Sequence, residues 1–421
     1  MPKRLFDLLK KQKQLHNFVT YGVGQFFNLV TPLLVVPYIV SVCTEEGYGK
    51  IGVGLAISFF LMVFIDYGSD ILGVKEVAVN RNNPEKLETL FTTIYTAKLF
   101  LLLIVLAVTC LLIFFVPYFN QEKRLFFFGL PVLVGQFINP TWFLQGMENF
   151  KWITFSNILS KVVYVAGIFW CIQQPSDYVY NNLFWGIGMI LANSIAFIYL
   201  WKQYGFSFKK TQKSHITSYL KSNFSMFGSQ IFVSLQMYFP IVLVSYFGNN
   251  TMAGQYKIID QIIVIFRTYI LLFFNFIFPR VCYLLETSKA EALQFWRKAN
   301  GLNFGFTLLL LLLISGYSFE IVDYFNPLNV AHISNLLQIA LLIPLLQSIG
   351  QPLKQLVLGW NKQKMYTHTT MFVTVITLLL IVLLTPRLNV LGVLTALIIS
   401  EILVISVFMY AVKNKLFNST S

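Results

Sequence analysis

Apolar residues run through this chain in long blocks that contain almost no charge. A helix rises about 1.5 Å per residue and the hydrocarbon core of a bilayer is about 30 Å thick, so about 20 mostly apolar residues span it. Twelve segments pass that test: 18–43, 49–73, 91–116, 125–147, 152–173, 182–201, 222–247, 254–279, 301–322, 333–358, 365–385 and 389–412. They are continuously apolar, whereas a barrel strand would alternate over about ten residues, so helices are expected rather than strands. Turn signals separate them, as in Asn82-Asn83-Pro84 and Gly248-Asn249-Asn250. Only 11% of the 421 residues are charged, against about 25% in soluble domains. The chain reads as an all-α integral membrane protein.

A net charge of +14 would suggest nucleic acid in a soluble protein. Its distribution gives another explanation. With the N-terminus placed in the cytoplasm, 22 of the 31 Lys and Arg fall in inside segments, and only Lys123, Arg124 and Arg387 fall in outside loops. The inside set includes the basic residues at 3–13, Lys202, Lys209, Lys210, Lys213 and Lys221 of the middle loop, and Lys413 and Lys415. This asymmetry is the positive-inside rule. It predicts twelve spans with both termini cytoplasmic and requires no nucleic-acid partner. The largest connections, 202–221 and 280–300, are too short for an extramembrane catalytic domain, so an enzyme is not expected. The first apolar run is about 26 residues, longer than the 7–15 of a signal-peptide core, so the first span is expected to be retained. Cys43, Cys110, Cys171 and Cys282 are scattered without metal-like spacing and read as small core residues. No cofactor or metal is expected.

The chain repeats itself. TEEGYGKI at 44–51 aligns with TMAGQYKI at 251–258, matching Thr44, Gly47, Lys50 and Ile51 to Thr251, Gly254, Lys257 and Ile258. Pro37 matches Pro240, Gly146 and Lys151 match Gly359 and Lys364, and Gly186 and Ser194 match Gly392 and Ser400. The matches keep chain order. They predict two six-helix lobes, 1–203 and 222–421, joined by a cytoplasmic linker at 204–221. Six spans per lobe give the halves the same orientation, as parallel repeats around a central cavity.

An ionisable group in mid-span costs about 2.5–3.5 kcal/mol on insertion scales, so it faces a bundle interior or a wet cavity. Lys257, Asp260, Val264 and Arg267 share one helical face and read as a cavity-lining stripe. The alternative for Lys257 is the headgroup region, with Asp260 as its i+3 partner. Lys161 sits mid-span with Tyr164 at helical spacing, as a cavity residue or a structural pair. Lys98 either lines the cavity or snorkels to the cytoplasmic headgroups, and Lys354 is expected to snorkel. Asp66 and Asp70 are expected to anchor an intracellular helix end. Gln236 shares a polar stripe with Ser222, Ser225 and Ser229, which reads as helix glue or as ligand contact. Tyr164 and Tyr256 suit sugar stacking. Glu401 lies too deep to snorkel. It takes either a structural partner in its own half or a gating or proton-linked role, and Asp260 is the other coupling candidate.

Several stretches resemble the polysaccharide flippases, the Wzx-like O-antigen-transporter family of the MATE-like multidrug/oligosaccharidyl-lipid/polysaccharide (MOP) exporter superfamily. They are EEGYGKIGVG, FIDYGSDILGVKEVA, PTWFLQGMENFKWITFSNILSK, AGQYKIIDQI and the Glu of IISEI. The resemblance implies two lobes around a cation-lined cavity lined by Lys161, Lys257 and Arg267. It implies alternating-access transport of undecaprenyl-diphosphate-linked oligosaccharide across the bacterial inner membrane, for O-antigen, capsule or a similar polysaccharide. A monomer is implied, with a polysaccharide polymerase and a chain-length regulator as partners. The competing readings are a glycan polymerase or glycosyltransferase of the same pathway and an ion-coupled multidrug exporter. Short outside loops weigh against the first, and the absence of charge in 17–43 weighs against the second.

Overall fold

The computed structural model describes residues 3–206, 212–360 and 362–417. Lys209 and Lys210, and the side chains of the basic residues at 3–13 and of Lys415, lie outside that description. The main helices are α1 (Lys3–Asp66), α2 (Pro84–Phe115), α3 (Lys123–Ile138), α4 (Phe150–Cys171), α5 (Tyr180–Tyr204) and α6 (Lys213–Phe247). They continue as α7 (Asn250–Thr287), α8 (Lys289–Gly316), α9 (Val330–Ala340), α10 (Leu342–Gly359), α11 (Gln363–Leu388) and α12 (Val390–Phe417). Local sequence explains their starts. Asn83 caps α2, accepting from the Lys86 amide at 3.1 Å, with Pro84 in the first helical turn. Asn249 caps α7 through the Met252 amide at 2.8 Å, and Asn329 caps α9 through the His332 amide at 3.0 Å.

Among the described residues, 11 helical segments are long and apolar enough to cross a bilayer, with α9 and α10 counted together. The chain is a multi-pass membrane protein. The difference from the twelve expected segments lies in α1. No loop separates 18–43 from 49–73. Two helices, together forming α1, meet directly at Thr44, whose backbone is non-helical at φ 64°, ψ 173°. The apolar stretch Gly22–Asp66 has 45 residues, about twice what one crossing needs.

The chain folds as two compact units. Unit 1 comprises Met1–Cys43 and Gly54–Ile231, and unit 2 comprises Thr44–Val53 and Phe232–Ser421. In unit 1, α5 packs along both α3 and α4. A Cβ at Gly186 would lie 2.6 Å from the Pro131 side chain, so glycine permits the close approach. An aromatic core joins Phe91, Tyr95, Trp142, Phe143 and Phe206. Two further left-handed sites occur here. Tyr67 and Gly68 end α1 at φ 45° and 81°, and Glu148 sits at φ 58° between α3 and α4. Arg81 holds the second site, pairing with Glu148 at 2.9 Å and donating from Nε to the Gly146 carbonyl at 2.6 Å. Large apolar side chains such as Phe115 (79% exposed) and Leu312 (61%) face outward. That is the inside-out surface that hydrocarbon solvates.

The core of unit 2 gathers Ile277, Val281, Leu356, Val357 and Phe408. Within this unit, the two best-matched repeat segments pack on one another. A Cβ at Gly49 would overlap the Asn250 carbonyl oxygen, and a Cβ at Gly254 would overlap the Glu45 carbonyl oxygen. The buried Glu45 carboxylate accepts from the Leu328 amide at 2.7 Å and from Gln255 Nε2 at 2.9 Å. Glycine is required where backbone meets backbone. Gly49→Ala and Gly254→Ala should each lower stability by about 1–3 kcal/mol, the usual cost of overpacking. Gly301→Ala, with nothing within 4 Å of the new methyl, should not. Thermal unfolding of the three detergent-solubilised variants checks this, and equal melting would remove the close contact as a stability determinant.

Candidate functional site

Unit 1 buries two lysines in different surroundings. Lys98, on α2, is 1% exposed. Its Nζ lies 2.9 Å from Asp66 Oδ1, and Gln136 Nε2 on α3 donates to Asp66 Oδ2 at 2.6 Å. Lys98 therefore does not snorkel. An internal carboxylate reaches it first, and the pair ties the end of α1 to α2 and α3. Asp70, four residues on, accepts from Gln230 Nε2 with both oxygens, at 2.8 and 2.9 Å.

Lys161, on α4, is 9% exposed. Its Nζ sits 3.5 Å from the centroid of Trp185 on α5. Among the described residues, no carboxylate pairs with it. A desolvated cation–π contact contributes about 2 kcal/mol, while burying an ammonium costs several. The balance leaves a cation that would gain from an anionic ligand. Tyr164 lies one turn further along. Its ring is 5.0 Å from Trp185, and its hydroxyl donates to Asn181 Oδ1 at 2.9 Å. Asn181 in turn donates to Asn182 Oδ1 at 3.1 Å, and the buried Asn182 Nδ2 has no partner. The structure thus brings Lys161 and Tyr164 together with Trp185, Asn181 and Asn182. Sequence reading missed these three because it singled out charged residues within the spans, and these are neutral. The pair Asn181-Asn182 inside an apolar run was the available signal.

In unit 2, the stripe on α7 divides as its spacing predicts. Lys257, Asp260, Val264 and Arg267 are half-exposed, while Ile258, Ile259, Ile262, Ile263 and Phe266 on the other side are buried. Lys257 Nζ pairs with Asp260 Oδ2 at 3.2 Å. Tyr256 is buried in the core, where it cannot stack on a ligand. Gln236 is half-buried on α6. Glu401, on α12, accepts from Gln347 Nε2 on α10 at 2.8 Å, and its cationic neighbours are Arg267 and Lys354. Lys354 turns to aromatic rings, 4.6 Å from Tyr366 and 5.3 Å from Phe274. Each unit therefore holds an acid with a glutamine. Gln136 and Gln347 lie shortly before the repeat-matched Gly146 and Gly359. Sequence reading found both acids but neither amide, which carries no charge to single it out.

Breaking a buried pair from one side strands a charge and costs about 3–5 kcal/mol, whereas apolar replacement of both partners is often neutral. Lys98→Met and Asp66→Leu should each destabilise strongly, and the double variant should recover most of the loss. A double-mutant cycle on melting temperature in detergent measures this, and additive losses would mean that the two side chains do not act as a pair.

Comparison with known proteins adds to this geometry. The family model described as polysaccharide biosynthesis protein matches residues 15–284. An Escherichia coli (strain K12) protein named "Putative O-antigen transporter" is 24% identical over 404 residues, covering 94% of this chain and 96% of that one. A Shigella dysenteriae protein of the same name is 23% identical over 290 residues, covering 68% and 70%. Among solved structures, lipid II flippase MurJ in an inward closed conformation matches with TM-score 0.75 at 14% identity, covering 94% of this chain and 87% of that one. An inward-facing multidrug resistance MATE family transporter of the MOP superfamily matches with TM-score 0.72 at 14% identity, covering 94% and 96%. At that identity the likeness is one of fold. With the family model matching well over half its length, the chain belongs to the polysaccharide biosynthesis protein family.

Proposed function

We propose that this protein is a flippase that carries polyprenyl-diphosphate-linked oligosaccharide units across the bacterial inner membrane for surface polysaccharide synthesis. The buried, carboxylate-free Lys161 is the observation that carries the reading. A membrane protein keeps such a charge at a cost, and the cost is offset when an anion arrives. A carrier diphosphate is anionic, and its attraction to a cation strengthens as the local dielectric falls. The half-exposed Lys257 and Arg267 supply further positive charge. A headgroup cannot cross hydrocarbon unaided, and a positively charged, hydrated path lets it cross while the prenyl tail stays in lipid. The named O-antigen transporter relatives support the same assignment.

The break at Thr44 turns the 45-residue stretch into two crossings, making twelve in all. Both termini are then cytoplasmic, and the six-helix lobes are 1–203 and 222–421. Transport proceeds by alternating access, with Asp260 and Glu401 as candidates for coupling.

Cells lacking the protein should lose surface polysaccharide and accumulate complete lipid-linked repeat units on the cytoplasmic face, as read by mass spectrometry of extracted lipids. Incomplete units inside, or unpolymerised units outside, would move the protein to a transferase or polymerase role. Lys161→Met should abolish surface polysaccharide while melting at or above the wild-type temperature, because it removes an undercompensated buried charge. A variant that melts much lower would make Lys161 a structural residue.

A further inference from the structure

A cavity of about 380 Å³ in unit 1 has no part in the proposed transport path. Its lining includes Tyr95 and Leu99 from α2, Phe137 at the end of α3, and Ser194, Phe197 and Ile198 from α5. Helix α3 packs closely against both α2 and α5, while α2 and α5 meet through aromatic side chains, Phe91 and Tyr95 against Phe197. The cavity is therefore a groove floored by α3. Its inner side is the aromatic core, where Tyr95 meets Phe197 edge-on at 5.0 Å and Phe137 at 6.0 Å. Its rim is exposed, with Leu99 at 45% and Ile198 at 49%. The rim continues into the outward-facing Leu103, Leu191 and Ile195 on the same two helices.

Three occupants are conceivable: vacuum, water or hydrocarbon. A void forfeits the dispersion contacts of its walls. Water needs two to four polar partners, and the groove offers few. The Tyr95 hydroxyl already donates to the Ile138 carbonyl at 3.2 Å, and the Thr96 hydroxyl to the Thr92 carbonyl at 2.6 Å. That leaves Ser194 as the remaining hydroxyl on the lining. Hydrocarbon meets neither objection, and the groove opens onto the surface that hydrocarbon already covers. We infer that this groove between α2 and α5 is a binding site for one acyl chain of a bilayer phospholipid. Mass action favours the bulk phospholipid over a rare polyprenyl carrier, since occupancy follows ligand concentration over Kd.

The test reads bound lipid and not transport, so it stands apart from the flippase assignment. Wild type, Ser194→Phe, Leu99→Trp and the rim control Leu103→Phe are purified in mild detergent. Native mass spectrometry counts bound lipid, and extraction identifies it. Wild type and Leu103→Phe should retain one phospholipid that both groove variants lose. Adding phospholipid to delipidated protein should raise the melting temperature of the first pair and not of the second. The two groove variants enter from opposite helices, so misfolding of one leaves the other to decide. Equal retention in all four, or a polyprenyl lipid held in place of phospholipid, would overturn the inference.

Discussion

Charged side chains fasten three of the places where the backbone leaves a helix with positive φ. Thr44, Tyr67 and Glu148 carry positive φ without being glycine, a conformation that costs about 1–3 kcal/mol each. Glu45 follows the first break and accepts from the Leu328 amide and Gln255. Asp66 precedes the second and is held by Lys98 and Gln136. Arg81 grips the third through Glu148 and the Gly146 carbonyl. Charge-assisted bonds of this kind contribute about 1.5–3 kcal/mol, enough to offset the strain. The breaks at Thr44 and Glu148 fall between predicted spans, and these side chains satisfy polar groups where the helices stop.

The same logic separates two lysines that look alike in sequence. Both Lys98 and Lys161 sit inside apolar spans, and both are buried. Lys98 is fully compensated by Asp66 and belongs to the scaffold. Lys161 has a tryptophan face and no carboxylate. A paired charge holds helices together, whereas an unpaired one keeps its desolvation cost.

The internal repeat acquires a physical meaning in unit 2. Its best-matched segments pack backbone to backbone, at Gly49 against Asn250 and at Gly254 against Glu45. A contact of that kind leaves no room for a Cβ on the glycine, while the facing Asn250 and Glu45 present only their carbonyl groups to it. The carboxylate–glutamine pairs, Asp66 with Gln136 and Glu401 with Gln347, extend the parallel to the buried polar groups.

Much of this protein is legible in its residue order. Uninterrupted apolar length makes the elements helical and membrane-spanning, because hydrocarbon leaves the backbone no other partner. Periodicity put Lys257, Asp260 and Arg267 on one face of α7 with the apolar residues opposite, and the fold keeps them there. The stretches EEGYGKIGVG, FIDYGSDILGVKEVA and PTWFLQGMENFK, which carried the family resemblance, lie at the breaks at Thr44, Tyr67 and Glu148. What the residue order left open was partnership. Snorkelling and cavity lining were the readings for Lys98, and its pairing with Asp66 and Gln136 became visible only in the fold. Trp185 beneath Lys161 comes from the next helix, and Gln347 against Glu401 from two helices away. Hydropathy and helical period are local properties, written in neighbouring residues. The compensation of a buried charge depends on which other helix packs beside it, and only the tertiary structure decides that.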